Sequence, residues 1–256
     1  MTFNGYTLDT VAPDLGTPQG SPLSPILSAL FTAPLLRLAE TWSDADLTLY
    51  VDDGCIFVSG PMFHSAAAKI HSARDKMFQW LHTFRLSVDD NKCKMMFFRP
   101  HRHNPLRFGK MVSSVALETS PGHVISITLA TSLCYLGIFF TPKLDWSIHV
   151  KIMATRVLST IKALGVLGNS IRGFWLLDWR RVFISVILLI LTYGSQVWFT
   201  DVRQASLIQT LQVAQNEACR KLAGTFHTTP TTALQSLLGI PPIHFRLRLI
   251  SQTCGN

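Results

Sequence analysis

The chain has 256 residues, 48% of them hydrophobic and only 15% charged, enough apolar material for one large domain or two small ones and an argument against global disorder. Its net charge of +8 is unevenly placed. Residues 1–150 carry 12 Lys/Arg against 12 Asp/Glu, whereas residues 151–256 carry 11 Lys/Arg against Asp178, Asp201 and Glu217 alone. A neutral half beside a basic half fits a nucleic-acid grip next to a second body, and fits an ordinary basic surface equally well.

In chain order, Phe3–Val11 alternates loosely and reads as a strand or hairpin running into a turn at Pro13-Asp14. A Gly/Pro/Ser-dense stretch, Gly16 to Pro25, leads into an apolar periodic segment (Ile26, Leu27, Leu30, Phe31, Leu35, Leu38). Ser21 or Ser24, each followed by Pro, is the expected N-cap of that helix, and Pro34 is expected to kink or break it. Leu47–Val51 and Cys55–Val58 are short β-prone runs about Asp52-Asp53-Gly54, a hairpin signal. The helical spacing of Phe63, Ala67, Ile70, Ala73, Met77, Trp80 and Leu81 predicts a helix from about Pro61 to Phe84. Met95–Phe98 and Cys134–Phe140 read as strands, separated by a polar region with strand-like pieces of its own. Helices follow at about 147–166, 176–195 and 203–222, and the composition shift near 141–150 is the expected domain boundary.

Val182 to Phe199 lacks charge and reaches the ~18 residues at which a membrane span is considered, but Thr192–Gln196 interrupts it, so a buried core helix is the expected reading and no membrane is implied. The five cysteines (Cys55, Cys93, Cys134, Cys219, Cys254) form no CxxC pair or His/Cys ladder, which leaves neither a zinc ribbon nor a disulfide framework supported. A reducing intracellular compartment, nucleus or cytoplasm, is the default. No basic region followed by an apolar run opens the chain, which argues against a secretory signal.

The acidic hairpin carries the strongest chemistry. Adjacent carboxylates at a turn cannot both enter a core, because burying them unpaired is too costly. Held rigidly by apolar strands, they present hard oxygen ligands of the kind Mg²⁺ takes alongside substrate phosphates, as in two-metal phosphoryl transfer. By itself the same turn also fits a plain solvated hairpin.

About thirty residues upstream of Leu49-Tyr50-Val51-Asp52-Asp53 stands Thr17-Pro18-Gln19-Gly20-Ser21-Pro22-Leu23-Ser24-Pro25. In order and spacing the two look like consecutive motifs B and C of reverse transcriptases. Leu86 to Lys94 is similar to a later family segment in which Lys92 matches a lysine near the leaving pyrophosphate, although Cys93 and Lys94 replace the usual Thr and Glu. Tyr135-Leu136-Gly137, then Leu144-Asp145-Trp146 and His149-Val150, resembles the primer-grip hairpin leading into the thumb. Tyr135 and Leu136 would equally suit an ordinary core strand, with Gly137 as a bulge. Tyr193–Trp198, Gln215-Asn216 with Arg220, Gly224–Phe226 and Gly239–Pro242 resemble the region beyond the thumb in fungal members, where the roles are mainly packing.

The chain thus resembles LINE-type (non-LTR retrotransposon) reverse transcriptases over nearly its whole length. The resemblance implies an α+β fold: a partial polymerase palm over residues 1–142, an antiparallel sheet with helices on one face, then an all-helical thumb-like region over 143–256. It implies RNA-directed DNA polymerase chemistry, with Asp52 and Asp53 holding Mg²⁺ (or Mn²⁺) and Lys92 assisting pyrophosphate departure. Gln19, Gly20, Ser21 and Tyr50 would line the nucleotide pocket, and Tyr135, Leu136 and Gly137 would form the primer grip. Arg156, Lys162, Arg172, Arg180, Arg181 and Arg220 would face nucleic-acid phosphates. The implied partners are an RNA template, a DNA primer, their duplex and deoxynucleoside triphosphates; no stable protein partner is implied.

The family also needs an aspartate on an earlier strand, motif A, and fingers residues. Asp9 and Asp14 stand too close to Gln19 to serve, so both are expected before residue 1, the copy reads as truncated, and the chain alone is expected not to extend a primer. Two alternatives are a non-catalytic nucleic-acid-binding remnant using the basic half, and a pseudogene product with an apolar palm face left bare where fingers would pack.

Overall fold

The computed structural model describes residues 2–3, 6–7, 20–86, 88–89, 92–98, 114–120, 123–165, 175–200 and 204–254. They divide into two compact units: residues 1–95 with 102–129, and residues 96–101 with 130–256.

In the first unit a short antiparallel pair, β1 (Thr2–Phe3) and β2 (Tyr6–Thr7), opens the chain. The turn expected at Pro13-Asp14 lies outside the described residues. Helix α1 (Ser24–Glu40) begins one residue away from expectation: Ser24 is its first helical residue, and Leu23 occupies the cap position without a side-chain bond. Ser21 instead accepts the Leu23 N–H on its hydroxyl at 3.3 Å, which turns the chain into the helix. Pro34 does not end α1, which continues to Glu40.

Strands β3 (Ala45–Tyr50) and β4 (Asp53–Val58) pair antiparallel from Ala45↔Val58 to Tyr50↔Asp53. In β3, Ala45, Leu47 and Leu49 point inward and Asp46, Thr48 and Tyr50 outward, the two-residue period of a half-covered sheet. Helix α2 (Phe63–Thr83) packs on this hairpin through a small core of Ala39, Trp42, Ala45 and Ala73 with Leu47, Ile56, Val58 and Met77. Phe31 of α1 meets Trp80 and Phe84 edge-on, joining the two helices. The Met95–Phe98 strand does not form; Met95 makes one isolated bridge to Leu129. A second hairpin, β5 (Ser114–Ser120) with β6 (His123–Thr128), completes the unit.

In the second unit β7 (Leu133–Tyr135) and β8 (Ile138–Phe140) form a hairpin, where the β-prone run alone suggested one strand and the family resemblance a hairpin. Leu136 (φ +48°) and Gly137 (φ +77°) are its two-residue loop, the φ pattern of a type I′ turn.

Helix α3 (Ser147–Leu164) buries His149, Val150, Met153, Ala154, Val157 and Ile161 on one face. The aliphatic run becomes α4 (Leu176–Val182), a π-helical turn (Phe183–Ile187) and α5 (Leu188–Leu191), stopped at Gly194, where φ is +64°. By length and composition alone Leu177–Trp198 would suffice for a membrane span. Phe183, Ile187, Leu188 and Leu191 enter the core as expected, yet Ile184, Val186 and Leu189 on the other side are exposed. After α6 (Ser195–Trp198), helix α7 (Ala205–Leu222) lies along α3; Ala154, Ala214 and Ala218 are small enough for close approach.

Two helices without a counterpart among the expected elements follow, α8 (Thr231–Leu238) and α9 (Ile243–Cys254). Side-chain amides fasten them: Gln215 donates to the Pro241 carbonyl at 2.8 Å, Gln235 to Asn216, and Gln212 accepts the Ile243 N–H. The boundary between units falls ahead of the composition shift at 141–150, because β7–β8 packs on α3.

Candidate functional site

The turn of the β3–β4 hairpin is Val51-Asp52, one step earlier than the Asp-Asp-Gly reading; Asp53 is already the first residue of β4, and Gly54 lies within the strand. The reason is register. Pairing Leu49 with Gly54 lets the Leu49 side chain cover the glycine, where an added Cβ would come within 3.1 Å of it. Val51 takes φ +57°, and Asp52 does not share the positive sign; this is the φ pattern of a type II′ turn, whose first loop position ordinarily falls to glycine. A β-branched residue there is strained and must be held from outside.

Two contacts do so. The Ser28 hydroxyl of α1 donates to the Val51 carbonyl at 3.3 Å, bracing the tip. At the base, Lys69 of α2 bonds the Ser59 carbonyl and pairs with Asp44 at 3.1 Å, so one ammonium spans both ends of the hairpin and lowers the Asp44 pKa. Asp52 and Asp53 are exposed, and among the described residues no ion pair or side-chain hydrogen bond claims either. No third His, Cys, Asp or Glu joins them among those residues. Neither Ser28 nor Lys69 announced itself in sequence, since a serine and a lysine on helices have no motif spacing to mark them.

Tyr50 is exposed beside the turn; Gly20 (φ +87°) and Ser21 lead into α1, whereas Gln19 lies outside the described residues. Lys92 pairs with Asp89 at 3.4 Å, and no ion pair joins it to Asp52 or Asp53. In the second unit Tyr135 pairs with Ile138, and Leu136 and Gly137 form the loop between them. Arg156 stands over the Phe139 ring at 5.8 Å, and Lys162 is exposed in the last turn of α3. With Lys151, Thr155 and Leu158 they form an outward face on a helix that contains no Asp or Glu.

The remaining arginines have structural contacts. Arg180 Nε donates to the Leu238 carbonyl at the end of α8, Arg181 pairs with Asp178, and Arg220 lies near Glu217. Arg172 lies outside the described residues.

His149 of α3 is fully buried. Its Nδ1 accepts the Phe139 N–H at 3.4 Å, and its Nε2 stands 3.1 Å from the Tyr193 carbonyl, which only accepts. Both bonds therefore require a neutral ring with the proton on Nε2. Burial pushes the imidazole pKa below its ordinary 6.5; the Tyr193 bond opposes this, and the Arg156 charge adds to it. A histidine lowered on folding contributes stability that is complete above pH 6.5 and is lost as pH falls from there through the folded value. Thermal melts from pH 7.5 to 5 are expected to show this loss, and His149→Gln is expected to shrink it; an unchanged pH profile in the variant would exclude His149 as its source.

Two unclaimed carboxylates on a braced hairpin tip present hard oxygen donors of the kind that divalent cations take. Residues 1–140, more than half of the chain, match the family model "Reverse transcriptase (RNA-dependent DNA polymerase)", and the chain belongs to that family. Its relatives include the probable RNA-directed DNA polymerase from transposon BS of Drosophila melanogaster, 27% identical over 86% of this chain and 23% of that protein. The probable RNA-directed DNA polymerase from transposon X-element of the same fly is 22% identical over 82% of this chain and 22% of its own length. The RNA-directed DNA polymerase from mobile element jockey, also from that fly, is 21% identical over 98% of this chain and 26% of its own. The LINE-type resemblance is therefore sound, and the chain spans about a quarter of these relatives. No solved structure matches it.

Proposed function

We propose that the chain carries the metal-binding and primer-holding part of an RNA-directed DNA polymerase, which adds deoxynucleotides to a DNA primer on an RNA template. The observation that carries this reading is the Tyr50–Asp53 tip, braced by Ser28, with both carboxylates free for a cation. Asp52 and Asp53 would hold Mg²⁺ or Mn²⁺, which when bound activates the primer hydroxyl and neutralises charge on the leaving phosphates. The Gln19-Gly20-Ser21 loop and Tyr50 would bound the nucleotide pocket, and Lys92, freed from Asp89, would deliver a proton to departing pyrophosphate. The β7–β8 tip would meet the primer, and the helices after it would act as a thumb.

Mn²⁺ added to the chain with an RNA–DNA duplex is expected to broaden the amide signals of Tyr50 to Gly54 before any others. Broadening spread evenly over acidic surface would overturn the reading.

The carboxylate-free outer face of α3 also favours a second reading, a nucleic-acid-binding module without catalysis. Duplex binding should weaken with salt, and the double variant Arg156→Ala/Lys162→Ala is expected to reduce the log–log salt slope by about 2, roughly one per lost phosphate contact. An unchanged slope would remove α3 from the interface. Binding with this slope but no localised Mn²⁺ effect would favour the module.

A further inference from the structure

The β7–β8 loop is held in place by a residue 57 positions later in the chain. The Tyr193 hydroxyl donates to the Leu136 carbonyl at 2.8 Å. Gly137 lies against the Tyr193 ring so closely that an added Cβ would sit 2.9 Å from the hydroxyl oxygen. The Tyr193 carbonyl receives both the His149 Nε2 proton and the Trp198 Nε1 proton, each at 3.1 Å. His149 returns to the hairpin through the Phe139 N–H, and Gly194 meets Ile138, where a Cβ would approach to 2.9 Å. Tip, returning strand and the Tyr193-Gly194 corner thus form one closed set of contacts.

Leu136 gives this set its interest. A leucine at φ +48° is disfavoured and persists only where its surroundings over-determine it. The group that does so, the Tyr193 hydroxyl, belongs to a residue 45% exposed, where water competes for both partners and the bond adds little to global stability. The bond is better placed to fix a pose than to hold the fold.

We propose that Tyr193, with His149 behind it, is a positioning residue that pre-sets the Leu136-Gly137 loop for binding the primer strand. The proposal rests on the reading of β7–β8 as the primer-contacting hairpin. A loop ordered beforehand loses less conformational freedom when it binds, so affinity depends on the latch although the latch touches no nucleic acid.

The test uses the full chain and Tyr193→Phe, which keeps the ring over Gly137 and removes only the hydroxyl. Hydrogen exchange is followed at residues 136–139, and affinity for a labelled RNA-template/DNA-primer duplex is measured by anisotropy. Tyr193→Phe is expected to speed exchange in the loop and weaken duplex binding about 3- to 10-fold, with Tm nearly unchanged. Gln235→Ala, which removes a bond to Asn216 elsewhere in the unit, is expected to lower Tm without changing affinity. Wild-type binding that Tyr193→Phe leaves intact would overturn the proposal alone, as would a loss of affinity that merely tracks Tm in both variants. A wild-type chain that binds no duplex would instead overturn the polymerase reading underneath it.

Discussion

Replacing Trp198 by alanine is expected to destabilise the second unit by about 3–5 kcal/mol, the range for deleting a buried aromatic side chain. Trp198 is 1% exposed, and its ring sits 6.2 Å from His149 and 6.0 Å from Phe199. Truncation leaves a cavity among side chains from α3, α6 and the segment after it, and it also removes the indole bond to the Tyr193 carbonyl. The helices cannot easily close over the void, because the amide bonds of Gln212, Gln215 and Gln235 hold α7, α8 and α9 in place. Denaturant unfolding monitored by circular dichroism measures the loss. A value under about 1 kcal/mol would mean that the site relaxes around the missing ring and would overturn the prediction.

Neutralising the hairpin pair, Asp52→Asn/Asp53→Asn, is expected to have the largest functional effect. The site has no other carboxylate among the described residues, so the variant loses the whole anionic character that attracts a divalent cation. Loss of even an indirect metal partner commonly weakens binding 10- to 100-fold, so removal of both proposed ligands is expected to weaken Mn²⁺ binding at the tip by at least about 100-fold. Tm should stay close to wild type, because the carboxylates are exposed and make no contacts that folding needs. Retention of localised Mn²⁺ broadening in this variant would place the metal elsewhere and remove the hairpin from the chemistry.

Other features divide by how local their causes are. The helices at 147–164 and 205–222 were legible because one face repeats apolar residues every three or four positions and nothing distant is needed to bury it. The β3–β4 hairpin was legible as an element but not in register, since the turn is chosen by how Leu49 packs over Gly54 and by what Ser28 offers Val51. The basic face of α3 follows from spacing, whereas the different employment of Arg180 does not: its bond to Leu238 joins residues 58 positions apart. Helices α8 and α9 had no counterpart among the expected elements, and amides that reach 19 to 31 residues along the chain hold them against α7. Leu23, at the cap of α1, and Ile26, Leu27 and Leu30 within it are exposed.

The sequence by itself determined the family, through the order and spacing of Pro18–Pro25, Tyr50–Asp53 and Tyr135–Gly137. These are matters of residue type and short-range spacing, which one dimension preserves. Only the tertiary structure decided that Val51 and Leu136 sit at strained turn positions, that Ser28 and Lys69 brace one hairpin, and that Tyr193 and His149 latch the other. The physical reason is common to all of them. A left-handed residue at a tight turn is unfavourable alone, and Val51 and Leu136 are held by hydrogen bonds from Ser28 and Tyr193, 23 and 57 residues away in the chain.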